Sequence, residues 1–259
     1  MNPNLCRVAL RPRSPFEVFD LTLRFVRERI RPIAWLTLFT VGPAWVVSLG
    51  IAWLTPQAWI PLIFAVVVGP LIHAPFTILG GRMLFEPDGS AVHAIRDTLK
   101  VWAGLLLTLL AELFTWVLSC TGLGILLLPG LVYLPETALL ERVDLGRGLQ
   151  RSVRLASGQV GQAIMGAAAR WGLLLWGGIV GELGGQFLVG FVLQLGQPFG
   201  SLFDGVATPY VLLGILASHP LFALYRLFLY VDVRTRMEGW DLQVGLRALG
   251  LQENGEDAA

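Results

Sequence analysis

Long runs of apolar residues, interrupted by short polar segments at intervals too regular for a soluble core, dominate the chain. A helix needs about 20 mostly apolar residues to cross a hydrocarbon layer about 30 Å thick. Six stretches meet that length, roughly 33–54, 58–80, 101–120, 122–140, 160–186 and 205–231. The fifth is the least sharply bounded. From Gly161 to Gly196 the chain is rich in glycine and longer than one span. It reads either as one long kinked helix or as a span followed by an interfacial segment up to Gly200. Pro43, Pro70, Pro75, Pro129, Pro135 and Pro220 lie inside these stretches. Membrane helices tolerate such prolines because neighbouring groups satisfy the freed backbone.

The polar segments between spans have their own period. Ser14-Pro15-Phe16-Glu17 reads as a capping box with proline in the first turn. Phe16, Phe19, Leu23, Val26 and Ile30 then form one helical stripe, and Glu17, Asp20, Arg24, Arg27 and Arg31 another. A second such helix begins near Ser90, with Val92, Ile95, Leu99 and Trp102 opposite His93, Arg96, Asp97 and Lys100. A third begins near Asp144, with Leu145, Leu149, Val153 and Ala156 opposite Arg147, Arg151 and Arg154. Each leads into a pair of spans. The predicted fold is therefore all-α and polytopic, about six transmembrane helices in three repeats of amphipathic surface helix plus transmembrane hairpin.

Charge orients this arrangement. Eighteen of the nineteen basic residues are arginine, a composition that points to a GC-rich bacterial genome. They precede the first span (Arg7 to Arg31), lie between the second and third (Arg82, Arg96, Lys100) and between the fourth and fifth (Arg142 to Arg154), and follow the sixth (Arg234, Arg236, Arg247), with Arg226 just inside its end. The alternate connections, Thr55–Gln57, Cys120–Thr121 and Phe187–Asp204, contain none. Under the positive-inside rule both termini are expected in the cytoplasm of a bacterium, and the spans in its inner membrane. The first residues lack an apolar core of signal-peptide length, so insertion through the spans themselves is expected. One domain is expected over 1–250, with a short disordered acidic tail at 251–259.

Composition agrees with a membrane protein: 55% of the 259 residues are hydrophobic and only 14% charged, against about 25% charged in soluble domains. Two cysteines, Cys6 and Cys120, exclude a disulfide framework and a multi-cysteine metal site. No Walker loop, nucleophile elbow, His-Glu-x-x-His or dinucleotide glycine motif occurs, so no enzyme and no cofactor are expected. The basic patches carry too little interleaved aromatic surface for nucleic acid. The expected partners are membrane lipids, including anionic headgroups, and another membrane or cytoplasmic protein.

The candidate sites are polar residues placed where they are costly. Glu112 and Arg170 each fall 10 or so residues into a span from the same side, at ~15 Å depth. Unpaired charge there costs roughly 2.5–3.5 kcal/mol, so the two are expected to pair, either as a structural lock or as a midplane site. Glu136 reads as an interfacial carboxylate, or as a second acceptor for Arg170. His73 and His219 sit deep in spans two and six near Pro75 and Pro220. They read as hydrogen-bonded core histidines, with axial ligation or proton relay as the functional alternative. Gly177, Gly181 and Gly185 form two overlapping G-x-x-x-G steps that let a helix of this chain or of another approach closely. Arg234, Arg236, Glu238, Gly239 and Asp241 cluster after span six, where the carboxylates would pair with arginine and pin its end, Gly239 stopping the helix.

Three segments carry a resemblance. Arg13-Ser14-Pro15-Phe16-Glu17-Val18-Phe19-Asp20, Gly148-Leu149-Gln150-Arg151-Ser152-Val153-Arg154-Leu155-Ala156-Ser157-Gly158 and, most specifically, Tyr230 with Asp232-Val233-Arg234-Thr235-Arg236-Met237-Glu238-Gly239-Trp240-Asp241-Leu242 resemble the membrane domain of some bacterial glycerophosphodiester phosphodiesterases and its stand-alone relatives. The resemblance implies a multi-span helical unit. In that family catalysis belongs to a separate soluble barrel, and no His-Arg-Gly signature occurs here, so it implies no phosphodiesterase activity. The leading functional expectation is a non-enzymatic scaffold or docking subunit. The alternatives are a small transporter or lipid-handling protein with a Glu112/Arg170 site, and a cofactor- or pigment-holding subunit using the histidines.

Overall fold

The computed structural model describes residues 12–84, 90–101, 106, 109–110, 113–114, 130–141, 143 and 145–239. Among them the regular structure is helical, with no strand. In chain order the helices are α1 (Pro15–Glu28), α2 (Ile30–Leu54), α3 (Trp59–Val67), α4 (Gly69–Met83), α5 (Ala91–Lys100), α6 (Leu134–Leu140), α7 (Leu145–Gly158), α8 (Val160–Gln186) and α9 (Pro209–Glu238). A π-helical turn, Phe187–Val192, extends α8, and a single 3-10 turn, Leu202–Asp204, precedes α9.

Four helical segments are long and apolar enough to cross a bilayer: α2, α3 with α4, α8 with its π-turn, and α9. These correspond to the first, second, fifth and sixth predicted stretches. Most of the third and fourth lies outside the described residues. α9 is the axis of the bundle. Its buried residues run from Val211 to Thr235 on all sides, and α8, α4, α2 and α1 pack around it. The edge helices α2 and α8 leave large apolar side chains such as Trp53 and Trp176 uncovered, the surface that lipid would cover.

The ends of these helices follow their local chemistry. The Ser14 hydroxyl accepts from the Glu17 amide at 3.3 Å, and the Glu17 carboxylate accepts from the Ser14 amide at 2.9 Å, completing the predicted capping box. Thr208 caps α9 by accepting from the Val211 amide at 3.2 Å. At the other end Gly239, with φ 56°, takes the left-handed conformation that stops the helix.

Several elements differ from the sequence expectation. The 58–80 stretch is two helices, divided at Val68 just before Pro70. Pro70 has no amide hydrogen to continue the ladder. The 122–140 stretch does not run as one helix to its end. The chain turns at Val132 and Tyr133, and Pro135 opens α6 as a first-turn proline. The region after Gly161 is one continuous helix to Val192, irregular beyond it. In the surface helices the apolar stripe is divided between the bundle and the outside. In α1 the buried positions are Val18, Thr22 and Phe25, whereas Phe16, Leu23 and Ile30 of the apolar stripe are exposed. In α5 they are Ala94 and Thr98. In α7 they include Gly148, Ser152, Leu155 and Ala156. In α5 and α7 most buried positions are small, which lets these two helices lie close against the bundle, whereas α1 buries Val18 and Phe25.

Candidate functional site

Polar side chains follow α9 almost from end to end. At the end remote from α1, α5 and α7, Glu182 of α8 is buried and accepts from the Leu202 amide at 2.9 Å, the Gln186 side chain at 3.2 Å and the Thr208 hydroxyl. Gln186 also donates to the Gly200 carbonyl at 2.6 Å. The connection between α8 and α9 is thereby tied down by one carboxylate.

Midway along the bundle, the break between α3 and α4 faces His219. Ala65 lies in the last turn of α3, where carbonyls lack intrahelical partners. His219 Nε2 donates to the Ala65 carbonyl at 2.9 Å. In a neutral ring Nδ1 then accepts, and His73 Nε2 lies 2.9 Å away as its donor. The site has room only because residue 69 is glycine. A Cβ there would lie 2.7 Å from His219 Cε1 and 2.9 Å from Nδ1. The structure thus brings His73 and His219 together, and it spends both nitrogens of His219 on protein.

Two turns further along α9, Arg226 Nε donates to Glu136 Oε1 at 2.7 Å. The side chains are 3% and 0% exposed. This corrects the sequence expectation for the placement of both residues. Glu136 is a fully buried carboxylate rather than an interfacial one, and Arg226, placed by sequence near the end of its span, bonds it deep in the bundle. Arg226 is not near the helix end, because α9 continues twelve residues to Glu238, about 18 Å. The guanidinium also lies 5.4 Å from the Phe222 ring centroid, within cation–π range.

Near the surface helices the column widens into a network. Asp232 accepts from the Arg13 amide at 2.6 Å, the Gln162 side chain at 2.6 Å and Arg236 Nε at 2.9 Å. Arg236 also donates to the Arg13 carbonyl at 2.6 Å. The segment before α1 is therefore clamped to α9. Glu238 pairs with Arg151 at 2.9 Å, Arg234 at 3.0 Å and Arg154 at 3.3 Å. Glu141 pairs with Arg151 and Arg234 and accepts from the Tyr230 hydroxyl. The expected clustering of Arg234, Arg236 and Glu238 is observed, and it reaches α7 as well as the start of α1. Asp241 lies outside the described residues. In α7, burial pulls the Arg151 guanidinium down, but the Glu141 and Glu238 carboxylates outweigh it and hold its protonation more firmly than usual.

The glycine steps of α8 serve packing inside the chain. A Cβ on Gly177 would lie 2.5 Å from the Gly214 carbonyl oxygen, and one on Gly181 2.5 Å from the Tyr210 carbonyl. Gly185 accommodates the Tyr210 ring instead of backbone. Beside this contact is an apolar groove of about 550 Å³, lined by Trp176, Gly184, Tyr210, Leu213 and Leu221 among others.

Arg170 is half-buried on α8, with Nε and Nη2 shielded from solvent. Glu112 lies outside the described residues, and its expected pairing lies there with it. Among the described residues no group of three or more His, Cys, Asp or Glu could hold a metal ion.

Sequence reasoning passes over Arg226, Asp232, Glu182 and Gln162 as site residues. A signal exists for two of them. Glu182 with Gln186, and Asp232 with Arg236, are spaced four apart on one helix face. Arg226 reads from sequence as one of the orienting charges, which conceals it as a partner for Glu136. Comparison of the chain with protein-family models, with curated proteins and with solved structures finds no match in any of the three.

Proposed function

We propose that the chain is a non-enzymatic integral membrane component, a scaffold or docking subunit of a bacterial inner-membrane complex, with α1, α5, α7 and both termini on the cytoplasmic side. One observation carries this reading. At four levels along α9 buried polar groups are bonded within the bundle, through Glu182, the His73–His219 pair, Glu136–Arg226 and Asp232. A translocation pathway needs polar groups that exchange partners with a passing solute, and these are tied into fixed bonds. Cofactor ligation is not favoured, because His219 would first have to release both Ala65 and His73. The six-span count and the threefold surface-helix-plus-hairpin unit belong to the same proposal. So does the motif resemblance to the phosphodiesterase membrane domain, as a membrane part without the catalytic barrel.

Reconstitution into vesicles tests it. Proton, potassium and small-anion flux is expected to equal that of protein-free vesicles, and mild extraction from native membranes should yield a complex of fixed stoichiometry. Saturable flux that disappears in Glu136→Gln would overturn the reading.

A further inference from the structure

The three surface helices share a feature that their packing on the bundle does not explain. Each is apolar on two faces. One face is buried against the bundle, through Val18 and Phe25 in α1, Ala94 in α5 and Leu155 and Ala156 in α7, and a second apolar face is left outside. In α1 the outer stripe is Phe16 and Leu23, seven apart, with Phe16 77% exposed. In α5 it is Val92 and Leu99, 69% and 68% exposed. In α7 it is Leu149 and Val153. On a helix, residues seven apart fall close to one line, and residues four apart on one face, so each stripe is nearly straight.

Beside each stripe stands a cation. The exposed pairs are Leu23-Arg24, Leu99-Lys100 and Val153-Arg154, one in each helix. Neither α5 nor α7 has an exposed carboxylate among its described residues, whereas α1 exposes Glu17, Asp20 and Glu28, Asp20 paired with Arg24. The Asp97 side chain is largely covered and bound by Arg82 and Lys100. Arg27, Arg96 and Arg147 are exposed and make no ion pair among the described residues. All three helices gather at one end of the bundle, since α1 leads into α2, α5 follows α4, and α7 leads into α8.

We infer that α1, α5 and α7 form a collar whose outer apolar stripes lie in the headgroup boundary of the adjoining leaflet, and that its cations select anionic phospholipid there. A helix lying in that boundary buries its apolar side to a depth of about 5–10 Å and keeps its cations among headgroups. Long basic side chains reach upward along the apolar surface to do so. A planar boundary imposes the same pattern on every helix it touches. That explains why three helices of different sequence repeat it, whereas a protein partner would match one of them. Arg27, Arg96 and Arg147 carry the charge complementarity, each favouring an anionic surface by roughly fivefold. The collar rests on the scaffold reading only for its orientation toward the cytoplasmic leaflet, where anionic lipid supplies the negative surface potential.

The test uses the full chain in lipid nanodiscs, with Cys6 and Cys120 replaced by serine. Nitroxide labels at Leu23→Cys, Leu99→Cys and Val153→Cys are expected to relax more with oxygen than with a water-soluble nickel chelate, at headgroup-boundary depth. A label at Asp20→Cys should report water. Co-purified lipid is then counted from discs of mixed phosphatidylglycerol and phosphatidylcholine. The triple variant Arg27→Gln/Arg96→Gln/Arg147→Gln is expected to lose at least tenfold of the phosphatidylglycerol preference, while keeping the parent's melting temperature within a few degrees. Fully aqueous labels, or an unchanged lipid preference, would overturn the collar. Labels that are aqueous in nanodiscs but shielded in native membranes would assign the stripes to a protein partner, and would overturn it too. The flux assay reads the scaffold proposal independently, so flux with the lipid preference intact would sink that reading and leave the collar standing.

Discussion

Separating Glu136 from Arg226 gives the sharpest test of how this bundle is held. Their side chains are 0% and 3% exposed and meet at 2.7 Å. With charge centres about 4 Å apart and an effective dielectric near 20, the attraction is about 4 kcal/mol. Replacing one partner forfeits that attraction and leaves the other ion in an apolar bundle, a loss of about 3–5 kcal/mol. Replacing both with residues of similar volume removes the attraction together with the cost of burying two ions, which is often close to neutral. Glu136→Met and Arg226→Met are therefore each expected to lower stability by about 3–5 kcal/mol, and the double variant by less than half of their sum. Unfolding by titration with sodium dodecyl sulfate in mixed micelles, followed by the fluorescence of the nine tryptophans, measures all four corners of the cycle. Additive losses would refute the reasoning, because they would mean that each side chain is stabilised by something other than its partner.

Other perturbations probe the remaining levels of the column. Gly69→Ala pushes a methyl group against His219 and is expected to cost about 1–3 kcal/mol by overpacking, with His219 losing its bond to Ala65. A shifted His219 imidazole signal by NMR, alongside the lowered melting point, checks this. Gly181→Ala meets backbone of α9 and should destabilise the helix pair by more than about 2 kcal/mol. Gly184→Ala meets nothing within 4 Å and should be neutral or stabilise by up to about 1 kcal/mol through helix propensity. Equal effects in paired melts would contradict the assigned face. In α5, burial pushes the Asp97 carboxyl up, but Lys100 and Arg82 outweigh it and hold the group below its ordinary value of 3.8. A carboxyl lowered by folding adds stability above its unfolded value and loses it as pH falls through the folded one. Melting temperature should therefore drop more steeply below about pH 4 in the parent than in Asp97→Asn, and parallel curves would refute the assignment.

The sequence disclosed those features that follow from a short window. The capping box at Ser14 and Glu17, the stop at Gly239 and the apolar lengths of α2, α8 and α9 each depend on neighbours a few residues away. The choice of partner across the bundle does not. Glu136 and Arg226 are 90 residues apart, and His73 and His219 are 146 apart. Arg226 is also hidden by its charge, because an arginine within twelve residues of a basic segment counts as an orienting residue until the helix is known to continue. The surface helices are legible only in part. Helical periodicity finds their apolar stripe but cannot say which of its residues the bundle covers. The bundle buries Val18 and Phe25 of α1 and Leu155 of α7 and leaves Phe16, Leu23, Leu99 and Val153 outside.

That the bundle's axis is the last helix described has a consequence for biosynthesis. α9 supplies a partner to His73, Glu136 and Gln162, and its cap Thr208 supplies one to Glu182; all four sit on helices made before it. Emerging from the ribosome in order, those helices enter the bilayer carrying polar groups whose final bonds do not yet exist. Assembly therefore completes from the carboxyl-terminal side, and a chain halted before Thr208 would present surveillance proteases with a set of unfinished spans. Maturation in the cell should accordingly appear as a delay followed by a single abrupt gain of protease resistance once α9 has left the exit tunnel.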